Sequence, residues 1–174
     1  MEQDSFIQSM RVMRIGLLFA LITLVFGFCL GGVFGAFEHS LKDHLKGKAT
    51  SVLEEKYSSD TAKVDKALSK AWTYIKRAHI HANGLGTASL AMILFLAFCS
   101  PSQGLLFLTS LFLGIGSFGY SLFWLFAGLL TPSLGSSEAA KEALTFLAFP
   151  SSGLCLIGVF MTTYCCIKKF FLSH

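Results

Sequence analysis

Four apolar runs, at 15–36, 82–100, 105–130 and 144–167, divide this chain of 174 residues. Each is long enough to cross a hydrocarbon core, which takes about 20 helical residues. In that medium every backbone N–H and C=O needs a partner inside the protein, and a helix supplies one within a single segment. The runs therefore predict four transmembrane helices, at about 15–36, 79–100, 105–130 and 144–167, in an all-α integral membrane bundle that forms one domain. Composition agrees: 53% hydrophobic and 14% charged residues, with a mean hydropathy of +0.64, lie outside the soluble range.

The first run follows Arg11 and Arg14 as a signal peptide would, but it exceeds the usual apolar stretch of about 7–15 residues and no small-residue cleavage pattern ends it. It reads as a retained span. Ser100-Pro-Ser-Gln-Gly104 is a tight turn that makes spans two and three an antiparallel hairpin. Thr131-Pro-Ser-Leu-Gly-Ser-Ser137 forms the third connection, with Ser137 as the expected cap of a short helix. Pro150, about a turn inside the fourth run, is expected to kink it.

The first connection, 37–77, reads as an extramembrane capping loop. Glu38 to Lys48 continues span one as helix, and Asp65 to Arg77 is an amphipathic piece with Ala67, Leu68, Ala71, Trp72 and Ile75 on its apolar side. An even number of spans puts both termini on one face. Arg11, Arg14, Lys168 and Lys169 suggest a cytoplasmic face, in a bacterial inner membrane. Yet the loop carries nine Lys and Arg residues, six near its ends at Lys42, Lys46, Lys48, Lys70, Lys76 and Arg77, and counting these alone favours the reverse.

The net charge of +4 resides mainly in that loop and near membrane ends, which points to lipid headgroups as partners and away from nucleic acid. Cys29, Cys99, Cys155, Cys165 and Cys166 lie in or beside apolar segments, without a Cys-x-x-Cys pair. They read as small hydrophobes rather than a disulfide framework.

Gly27-x-x-x-Gly31-x-x-x-Gly35 in span one and Ser110, Gly114, Ser117, Ser121 and Gly128 in span three form small-residue stripes. Such stripes let helices approach closely, and one of them could equally admit a planar macrocycle.

Four of the five histidines, His39, His44, His79 and His81, flank the capping loop and so share one membrane face. On a regular helix His79 and His81 diverge by about 160°, so they are poor ligands for one ion together. Asn83 is expensive in hydrocarbon unless its amide is paired. A histidine can bind haem iron through one ring nitrogen while the other donates a proton that fixes its orientation. His81, the deeper one, is the expected ligand, with His39 as an axial partner from across the bundle. Copper or zinc held by His39, His44, His79 or His81, with Asp43 or Glu38 assisting, is the alternative.

The pattern Arg77-x-x-x-His81-x-Asn83, entering a helix after a loop, resembles the start of the second helix in the catalytic subunit of haem-copper oxidases, notably the cbb-type oxidases and nitric oxide reductases. The resemblance implies haem b on His81, Asn83 as its polar neighbour, and Arg77 as a propionate partner. That subunit has about twelve helices arranged as three arcs of four, so this chain resembles one arc, and a homotrimer would rebuild the ring. The later histidines of the family's oxygen-reducing centre have no counterpart here.

Three functions remain open on this reading: a haem protein that transfers electrons to a redox partner or senses a small ligand, a copper or zinc protein, and a structural or partner-binding protein whose histidines serve polar contacts. No phosphate loop, Ser-His-Asp order or His-Glu-x-x-His run assigns an enzyme activity.

Overall fold

Helices carry this chain well beyond the apolar runs. The computed structural model describes residues 2–99 and 101–172, so Ser100 of the predicted turn and the terminal His174 lie outside the described residues. The order is α1 (Glu2–Thr50), α2 (Leu53–Tyr57), α3 (Thr61–Cys99), α4 (Gln103–Leu134), α5 (Ser137–Ala143) and α6 (Thr145–Ile167), ending in a π-helical turn, Lys168–Leu172. There is no strand among the described residues. α1, α3, α4 and α6 are long and apolar enough to cross a membrane, which makes this an all-α four-helix membrane bundle.

The 49 residues of α1 span about 73 Å at about 1.5 Å each, more than twice a hydrocarbon core of about 30 Å. Its excess, with α2 and the first half of α3, forms a helical stalk. Phe37 breaks the helical backbone of α1 (φ −131°, ψ 21°), between the apolar run and the stalk. Leu45, Ala71 and Ile75 form one buried cluster of the stalk, and Ala49, Tyr57, Val64 and Ala67 the other. α3 starts at Thr61 because Asp60 Oδ1 accepts hydrogen bonds from the amides of Ala62 (2.9 Å) and Lys63 (3.2 Å), a side-chain N-cap.

α4 is the central helix, packing on α1, α3 and α6. Its small residues permit this: Gly114 meets the backbone of Gly16, a Cβ on Gly116 would come within 2.7 Å of the Cys155 amide nitrogen, and one on Gly128 within 2.8 Å of the Ala71 carbonyl. Ser117 and Ser121 return their hydroxyls to carbonyls of their own helix, Gly114 and Ser117 respectively, so these two hydroxyls are paired at the seam. By contrast α1 and α6 turn large side chains outward, with Phe28, Phe146 and Phe149 each 73% exposed. Those faces suit lipid.

Two expectations change at the third connection. α4 continues to Leu134 with Pro132 in its last turn, leaving Gly135 and Ser136 as the link to α5. The cap of α5 is Ser136 and not Ser137: Ser136 Oγ accepts from the Ala139 amide at 3.0 Å, whereas Ser137 Oγ donates to the Glu138 carboxylate. Gly135 adopts φ +78°, and a Cβ there would stand 2.8 Å from the Lys56 Cβ, because α2 rests against this end of α4. Fully buried Tyr57 completes the junction by donating its hydroxyl to the Pro132 carbonyl at 2.7 Å. Pro150 sits in the second turn of α6, which continues through it as helix.

Candidate functional site

The membrane half of α3 carries His79, His81 and Asn83, and helical spacing distributes them over two seams. Residues four apart share a face and residues two apart do not. His79 and Asn83 therefore face α1 together, while Arg77 and His81 face α4.

At the first seam the Nδ1–H of His79 donates to the Gly27 carbonyl, 2.8 Å away. That bond puts a proton on Nδ1 and directs it at α1. The amide nitrogen of Asn83 donates to the His79 carbonyl at 3.0 Å, which keeps this polar group paired within its own helix. A Cβ on Gly27 would lie 2.8 Å from Asn83 Oδ1, and one on Gly31 would lie 2.9 Å from His79 Cε1. The first two glycines of the α1 stripe thus receive the two polar side chains of α3, whereas Gly35 meets nothing within 4 Å. Gly27 lies nine residues before Ala36 and hence about 13 Å inside the apolar run of α1. Phe34 caps the pair, its ring 5.6 Å from that of His79 and 5.5 Å from that of Trp72, and Lys42 stands 4.9 Å over Trp72.

At the second seam His81 stacks on Tyr120 (5.2 Å, 20°) and meets Trp124 edge-on at 5.9 Å. The Arg77 guanidinium lies 4.5 Å over Trp124 and 5.6 Å from Tyr74. Tyr120 and Trp124 are four apart on α4 and thus on one face. That spacing was the available signal for this cluster, and sequence reasoning passed over it. Burial leaves the Trp124 indole nitrogen without a hydrogen-bond partner.

His39 and His44 are exposed on the stalk half of α1. Asn83 accompanies His79 and not His81, so the predicted His81–Asn83 pocket is divided between two seams. Among the described residues no three His, Cys, Asp or Glu side chains group in a way that holds a metal ion. On the α1 glycine face His79 and Asn83 occupy the space above Gly27 and Gly31.

No family model, curated protein or solved structure matches this chain. The likeness to haem-copper oxidases accordingly rests on Arg77, His81 and Asn83 alone.

Proposed function

We propose that this chain is a partner-binding membrane protein, in which four spans form a scaffold and the helical stalk is the binding surface. The observation that carries this reading is the divergence of the four histidines: His79 is bonded to α1, His81 is stacked on α4, and His39 and His44 point outward from the stalk. The polar groups near the membrane thus serve helix packing. The stalk meanwhile displays Lys42, Lys46, Lys63, Lys66 and Lys70 on its exposed surface, and its nine basic residues outnumber six acidic ones over 37–77. Its charge suits an acidic partner surface. The termini are assigned to the cytoplasmic side, beside Arg11, Arg14, Lys168 and Lys169, which places the stalk on the opposite side.

The test places a photo-crosslinking residue at Lys46 or Lys66 in native membranes, with lipid-facing Phe28 as control. One discrete adduct is expected from both stalk positions, and the adduct from Lys46 should be lost when Lys63, Lys66 and Lys70 become Glu while the bundle stays folded. No stalk adduct, together with a Soret band or stoichiometric metal, would overturn the reading.

A second reading is favoured by one observation, the Nδ1–H bond of His79 to a backbone carbonyl. This is the arrangement that fixes a metal-binding imidazole with Nε2 as the ligand atom. Its remaining ligands would come from outside this chain, and a homotrimer is the assembly that supplies equivalent copies. Copper or zinc that copurifies at one equivalent or less per chain and is lost in His79→Ala would establish it. Native mass measurement would test the trimer separately.

A further inference from the structure

Cys99 in the last turn of α3 and Cys166 near the end of α6 bring their sulfurs to 3.7 Å across 67 positions of sequence. Cys165 is buried beside them, and all three are free thiols. The other two cysteines stand apart, Cys29 exposed on α1 and Cys155 against Gly116. Pro101 and Lys168 mark this end of the bundle as the membrane surface, where a cavity of about 400 Å³ lined by Cys99, Leu105, Tyr164, Cys165 and Lys168 gives access to two of the thiols. Cys166 itself is only half-buried. Because these thiols do not group as metal ligands, pairwise chemistry is what their geometry offers.

We infer that Cys99 and Cys166 are a redox-active thiol pair that closes reversibly into a disulfide joining the end of α3 to the end of α6. A disulfide holds its sulfurs about 2.05 Å apart, so the gap must shorten by roughly 1.7 Å. Side-chain rotation at the two helix ends is the adjustment required, and the backbone after Cys166 has already left α-helical bonding in the π-helical turn Lys168–Leu172. The oxidant is a disulfide-bearing molecule, either a low-molecular-weight disulfide or a dithiol oxidoreductase. Cys166, as thiolate, attacks one sulfur of that disulfide and expels the other as a thiolate. Cys99, passing its proton to the thiolate just expelled, then attacks the Cys166 sulfur and expels the second. The two protons from Cys99 and Cys166 end on the oxidant's two thiols, which carry away both electrons. Since α6 otherwise packs chiefly on α4, the bond would fix its end to a second helix.

The test equilibrates the purified full-length protein in buffers of varied reduced and oxidised glutathione, quenches with acid, unfolds it in detergent, and alkylates every thiol with a mass tag before peptide mapping. Cys99 and Cys166 are expected to lose their tags together in oxidising buffer and to regain them with dithiothreitol, while Cys29, Cys155 and Cys165 stay tagged. Cys165→Ser should preserve this behaviour, and Cys99→Ser or Cys166→Ser should abolish it. Tags retained on both residues, separate glutathione adducts without a cross-link, or a cross-link running to Cys165 would each overturn the inference. The wild-type map decides the matter even if a serine variant folds poorly.

Discussion

The Nδ1 nitrogen of His79 lies 2.8 Å from the carbonyl oxygen of Gly27, which bonds a side chain of α3 to the backbone of α1 inside the apolar zone. The contact requires a glycine-lined face, since a Cβ on Gly27 or Gly31 would enter the space held by Asn83 and His79. Gly27→Val should therefore destabilise the bundle by about 1–3 kcal/mol through overpacking. Gly35→Ala, with open space around it, should stay within about 0.5 kcal/mol of wild type. Unfolding in mixed micelles measures both, and equal losses at the two positions would contradict the assignment.

The two histidines should differ in what they tolerate. His79→Phe keeps a ring beside Phe34 but loses the bond to Gly27, and should cost about 1 kcal/mol. His81→Phe keeps the stack on Tyr120 and should cost less than about 0.5 kcal/mol. The reverse order in the same unfolding assay would show that His81 carries a polar function.

Tyr57 links the stalk to the end of α4, and its burial raises the phenol above its ordinary value. The unfolded chain ionises first, near pH 10, so stability from this group is complete below about pH 10 and falls as pH rises toward the folded value. Tyr57→Phe should cost about 1 kcal/mol at neutral pH and lessen the alkaline loss. Unfolding curves at neutral pH and at about pH 11 give both quantities. An unchanged alkaline slope would mean that Tyr57 is not the group responsible.

The N-cap of α5 can be read from one amide. Ser136→Ala removes the acceptor of the Ala139 N–H and should speed its hydrogen exchange about fivefold, equivalent to about 1 kcal/mol. Ser137→Ala should leave that rate nearly unchanged.

The span count was legible because about 20 apolar residues in a row have few other fates. Helix ends were less so. Pro132 falls in the stretch expected as the third connection, yet near the end of α4 the packing of α2 and the Tyr57 bond to its carbonyl hold it in helix, a long-range effect that no local propensity records. The divergence of His79 and His81 follows from spacing alone. Which neighbour each meets does not, because the pairing of Asn83 with His79, and of Arg77 with His81, depends on where α1 and α4 lie around α3. Helical spacing gives the angles between side chains, and tertiary packing alone gives their partners.

The bond between α3 and α1 also has a consequence for biosynthesis. The ribosome delivers α1 and α3 to the bilayer before α4, the helix on which the finished bundle is centred, and membrane helices associate after they insert. His79 would otherwise wait in lipid as a costly polar group, but the Gly27 carbonyl is already present to receive it. The first half of the chain can thus assemble as a polar-sealed pair and offer a prepared groove to α4, with α6 arriving last on the outside.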